Sequence, residues 1–186
     1  MLGCLAAAVL LALALAALIK YLFFKIVTWW RTMDLRQSDW LGAFRAYFAV
    51  IAIGNLAWEG LQLPLYTIWT IGTVGEQAFA VIHCTGSDLL IALASLMAAL
   101  LLIGTRDWPA LGFGRVALVA IVLGVTYTGF SEWLNVSVRR SWAYSDWMPV
   151  MPIGTARIGL SPLIQWIIVP ATAFWAAARS NVTTSR

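Results

Sequence analysis

The chain has 186 residues, 62% of them hydrophobic and only 11% charged, with a mean hydropathy of +0.85. Soluble domains carry about 25% charged residues, so a water-soluble enzyme, a disordered chain and a disulfide-stapled secreted scaffold are excluded. The net charge of +4, from 12 Lys+Arg against 8 Asp+Glu, is what basic cytoplasmic loops of a membrane protein produce, and no nucleic-acid partner is expected.

A membrane span takes about 20 apolar residues, so five or six spans would use nearly the whole chain. Residues 2–19 form an uncharged run followed by Lys20, Lys25 and Arg31. A cleaved signal peptide carries its positive charge before the apolar run. The run is therefore expected to be a reverse anchor, with the anchor domain covering 1–30. Four further spans are expected at about 41–62, 77–104, 116–137 and 160–178, with element ends good to about 2–4 residues. These make a four-helix domain over 41–178, and 179–186 a short tail. The runs are continuous, whereas strands of a membrane barrel alternate over about 10 residues. The expected fold is thus all-α: a polytopic membrane protein of five transmembrane helices, the last four forming a bundle with a polar chamber.

With this order, Lys20, Lys25, Arg31, Arg36, Arg45, Arg106, Arg115, Arg179 and Arg186 fall on one side and Arg139, Arg140 and Arg157 on the other. The bias places the N-terminus outside and the C-terminus in the cytoplasm. The outer segments, 63–76 and 138–159, hold Trp69, Trp142, Trp147, Tyr66 and Tyr144 with prolines at 64, 149 and 152. They suit an aromatic girdle at headgroup level or the roof of a pocket. Cys4 and Cys84 have no metal-pair spacing and read as small apolar helix residues.

Ionisable groups inside spans cost about 2.5–3.5 kcal/mol each at mid-helix, so their placement is informative. Asn55, Glu59 and Gln62 recur at i, i+4 and i+7 on one helix face. Thr128, Glu132 and Asn135 repeat that spacing, with Tyr127 and Ser131 alongside. His83, Ser87 and Asp88 lie in the third span, and Ser161, Gln165 and Trp166 in the fifth. In the expected topology all these groups gather toward the outer leaflet, while stretches such as 89–104 and 116–125 are almost purely apolar. The plain account is interhelical hydrogen bonding, worth about 0.6 kcal/mol per group. It serves Asn55, Gln62, Ser87, Asn135 and Gln165 better than the three acids Glu59, Asp88 and Glu132. Low dielectric disfavours charged carboxyls, and a protonated acid beside an ionised one is the raw material of general acid–base chemistry.

Some cofactors are excluded. Retinal needs a mid-span lysine, and Lys20 and Lys25 end the first helix. A bis-histidine haem cannot be built from one histidine. His83, Glu59, Asp88 and Glu132 suit a metal in ligand type but lack ligand spacing. Neither metal nor cofactor is expected.

The segment Asn55-Leu56-Ala57-Trp58-Glu59-Gly60 resembles the His-Leu-x-x-Glu-Gly motif of the emopamil-binding protein (EXPERA) family, with Asn in the histidine place. Asp88 four residues before Ala92, and Gln165-Trp166 with Pro170, resemble that family's later chamber helices. Tyr127 and Glu132 match loosely. The resemblance spans roughly 41–178. It implies five helices, the last four forming a ligand chamber for sterols or cationic amphiphiles, and in the family's enzymes a sterol double-bond isomerisation. By resemblance, Glu59 and Asp88 handle protons and Trp166 faces a carbocation through its ring, with His83 the candidate for the missing histidine. The expected ligand is a sterol-like or isoprenoid lipid, bound or isomerised. Catalytic candidates are Glu59, Asp88, Glu132 and His83; ligand-binding candidates are Asn55, Gln62, Tyr127, Asn135, Gln165 and Trp166. The competing expectation is a small proton-relay, transport or assembly subunit. Oligomeric state stays open.

Overall fold

The structure, a computed structural model, describes residues 40–154 and 156–183, with side chains described through Arg179. The expected anchor at 1–30 lies outside the described residues. Four helices are long and apolar enough to cross a membrane: Trp40–Leu65, Val74–Ile103, Phe113–Val138 and Leu160–Arg179. These match the last four expected spans to within a few residues and are consistent with an integral membrane protein.

In chain order the elements are α1 (Trp40–Gln62), a 3-10 turn (Leu63–Leu65), the short α2 (Ile68–Ile71), α3 (Val74–Ile103), α4 (Phe113–Glu132), a π-helical turn (Trp133–Val138), strands β1 (Val150–Ile153) and β2 (Ala156–Gly159), and α5 (Leu160–Thr183). At about 1.5 Å per residue the 23 residues of α1 exceed a hydrocarbon core of about 30 Å. α3 starts at a reciprocal cap, in which Thr73 Oγ1 accepts from the Glu76 amide and Glu76 accepts from the Thr73 amide at 2.7 Å. α4 starts after Gly112, whose φ of +74° suits a residue without a Cβ.

The long helices form a ring in which α1 packs on α5 and α3, and α4 packs on α3 and α5. One half of this bundle is dry. Ala92, Leu96, Ala99, Val116, Ala120 and Phe174 are buried there. The Tyr47 and Phe174 rings meet at 4.6 Å, and Phe113 meets Phe174 edge-on at 5.8 Å, spacings at which aromatic pairs attract. Among the described residues, the buried polar side-chain groups in this half are few: Ser95, which bonds back to the Ile91 carbonyl at 2.5 Å, the Tyr47 hydroxyl and the Trp108 indole N–H.

The fold departs from all-α at the other end. β1 and β2 pair antiparallel, Val150 opposite Gly159 and Ile153 opposite Ala156. Gly154, at φ +60°, takes the left-handed turn position between them. Two prolines in 149–152 hid the strand pattern, since proline removes a ladder donor. Here the two connecting segments join. Tyr66 and Tyr144 form an antiparallel bridge, the Thr67 amide donates to Ala143 O at 3.0 Å, and the Ser145 amide donates to Leu65 O at 2.9 Å.

Candidate functional site

The polar groups of three helices, α1, α3 and α5, meet at the hairpin end around a single side chain. Gln165, 1% exposed, stands on the first turns of α5. Its Nε2 donates to Asn55 Oδ1 at 2.9 Å, to Glu59 Oε1 at 3.0 Å and to Asp88 Oδ2 at 3.0 Å. An amide NH2 has two hydrogens, so three acceptors compete for them. The Glu59 and Asp88 carboxyls thus share the Gln165 amide as a common donor.

The cluster continues on both sides. Gln62 Nε2 donates to Glu59 Oε1 at 2.8 Å and to Gln165 Oε1 at 3.2 Å. Ser161 Oγ donates to Gln62 Oε1 at 2.8 Å and accepts from Trp58 Nε1 at 3.2 Å. Trp166 Nε1 donates to Asp88 Oδ1 at 3.2 Å. The spacing explains the convergence. Asn55, Glu59 and Gln62 share a face of α1, and adjacent Gln165 and Trp166 reach the two oxygens of one Asp88 carboxyl. Pro170 adds a backbone feature: it has no N–H for the carbonyl four residues earlier, which is that of Trp166.

A second polar group sits on α4 and the loop beside it. The Tyr144 hydroxyl donates to Glu132 Oε2 and accepts from the Gly159 amide at 2.8 Å. Burial, reinforced by the Glu132 carboxyl, pushes the Tyr144 phenol above its ordinary range. Burial likewise pushes the Tyr66 phenol well up. Both rings therefore stay neutral hydrogen-bonding groups at physiological pH.

Between the two groups lies a cavity of about 910 Å³, within the size range of small-molecule sites. Glu59, Asp88, Glu132, Gln165 and Trp166 line it, together with Gln62, His83, Tyr127, Thr128 and Asn135. Nine of the ten candidate residues named from the sequence thus border one cavity. Asn55 does not line it; the residue is 2% exposed and stands behind Gln165. His83 reaches the wall from an exposed position and stacks on Phe79 at 5.3 Å. Asn135 donates to Ser131 O at 2.9 Å. No three His, Cys, Asp or Glu side chains among the described residues are grouped to hold a metal ion.

Several wall residues, among them Thr67, Phe79 and Ala143, were not singled out by sequence. The connecting segments divide: Tyr66 and Trp142 line the cavity, while Trp69 and Trp147 are exposed. Part of the aromatic set therefore walls the cavity and part faces outward. Tyr144 carries the second polar group although its sequence context reads only as an aromatic loop.

Comparison with family models, with curated proteins and with solved structures gave no match. The chemistry of the chamber is consequently read from its own residues.

Proposed function

We propose that this chain is an integral membrane protein whose chamber binds a sterol-like or isoprenoid lipid, in the manner the EXPERA resemblance implies. The observation that carries the proposal is the Gln165 amide drawing the Glu59 and Asp88 carboxyls together at the wall of a cavity in a membrane-spanning bundle. Acids inside spans are costly and mark functional sites by default. A chamber within the bilayer receives its ligand from the bilayer. With the orientation expected from the bias of basic residues, the hairpin end and its chamber face the outer leaflet.

The paired carboxyls supply what a double-bond shift requires. A proton from the protonated acid adds to one alkene carbon and leaves a carbocation. The Trp166 ring steadies that charge. A neighbouring carbon then loses its proton to the partner carboxylate, and the double bond re-forms one position along. No net proton is consumed. Incubation with unsaturated lipid in deuterium oxide tests this arm. An isomerase introduces deuterium at carbon in the wild type and not in Glu59→Gln. Binding without deuterium uptake assigns the chamber to a receptor or carrier.

The proton-relay reading needs a polar path through both halves of the bundle. The dry half, with Leu96, Ala99, Ala120 and Phe174 buried in it, weighs against that path, and the lipid reading is preferred.

A further inference from the structure

The chamber has an extension that identifies the shape of its ligand. A groove of about 400 Å³ lies between α3 and α4. It shares the wall residues Leu90, Ile91 and Tyr127 with the chamber, so the two voids adjoin. Beyond those residues it is lined by Ala94, Ser95 and Ala98 of α3 and by Leu123 of α4. From Leu90 to Ala98 it follows α3 for about 12 Å, at 1.5 Å per residue. The groove offers its occupant almost nothing polar, because the Ser95 hydroxyl is already bonded to the Ile91 carbonyl. It runs along two membrane-crossing helices toward the dry half of the bundle, and Leu90, Ala94 and Tyr127 are exposed on its rim.

We infer that the ligand is a linear-chain lipid whose polar or unsaturated end lies in the chamber and whose hydrocarbon tail passes Tyr127 into the α3–α4 groove. The inference rests on the chamber being a lipid site and narrows it to isoprenoid or acyl chains. The tail stays against the bilayer throughout, so the ligand enters sideways and its chain never crosses water.

The test uses the full chain in nanodiscs and hexadecylamine carrying a diazirine at its terminal carbon, an ammonium head being complementary to the acids. After irradiation, peptide mass spectrometry is expected to place the label on the 90–98 and 123–127 segments. Unlabelled hexadecylamine or geranylgeraniol should compete it away, and the stronger competitor tells an acyl source from an isoprenoid one. Ala94→Phe fills the groove from an exposed position and should cut the labelling about tenfold. Ala94→Leu serves the same purpose if the larger ring prevents folding. Three results overturn the inference. If the label falls elsewhere while Glu59→Gln still abolishes it, the chamber binds lipid but the tail path is wrong. If cholesterol competes and hexadecylamine and geranylgeraniol do not, the ligand is not linear. If labelling ignores Glu59→Gln as well as Ala94→Phe, the chamber reading falls with it.

Discussion

The Cε3–Cζ3 edge of the Trp166 indole packs against Gly124, so close that a single added carbon at residue 124 would overlap the ring. α4 and α5 can approach here only because Gly124 has no side chain, and that approach fixes the ring whose Nε1 holds Asp88. Gly124→Ala is expected to push Trp166 out of place. Overpacking of this kind costs about 1–3 kcal/mol, against a helix-propensity gain of up to about 1 kcal/mol. Gly86, with nothing within 4 Å of an added Cβ, is the control: Gly86→Ala should leave the melting temperature unchanged or raised, while Gly124→Ala lowers it and loosens bound lipid.

Gln165 donates to Asn55, Glu59 and Asp88, of which Glu59 Oε1 also accepts from Gln62. Gln165→Leu removes this donor while keeping most of the volume. The expected loss is about 3 kcal/mol, the cost of leaving buried acceptors without partners, read from unfolding in mixed detergent. Because Asn55 lies behind the same amide, adding Asn55→Leu to Gln165→Leu should cost about 1 kcal/mol less than the two single effects summed. Strict additivity would show that the two side chains do not act together.

Tyr144 gives a pH signature. Its phenol is raised in the fold, first by burial and then by Glu132, so the folded chain holds a proton that the unfolded chain releases above about pH 10. The associated stability is complete below that value and is lost as pH rises toward the raised folded value. Tyr144→Phe strips the partner from Glu132 and from the Gly159 amide and should cost about 1–2 kcal/mol at neutral pH. The gap in melting temperature between wild type and Tyr144→Phe should narrow between about pH 9 and pH 11. A gap that stays constant across that range would contradict the assigned burial.

Much of this arrangement is legible in the chain. Long apolar runs set the last four spans within a few residues, because hydrocarbon thickness dictates helix length. The i, i+4, i+7 spacing of Asn55, Glu59 and Gln62 put them on one face. Spacing along a single helix cannot say what that face meets, which is why Asn55 turned out to support Gln165 and not to line the cavity. The contact of Gly124 with Trp166 joins residues distant in sequence and has no local signature. Tyr144 sits in a loop whose aromatic residues suit a membrane surface equally well, and only the pairing of the two connecting segments shows that its hydroxyl turns inward.

The most direct test is the lipid content of the purified protein. Wild type and Glu59→Gln, extracted in the same mild detergent, are compared by lipid mass spectrometry against the same membranes. A chamber built around the Glu59–Asp88–Gln165 cluster should retain one apolar lipid class in the wild type and lose it severalfold in Glu59→Gln, with the melting temperature of the variant recording that it is still folded. Equal lipid content in the two proteins would contradict the assignment of the chamber as a lipid site.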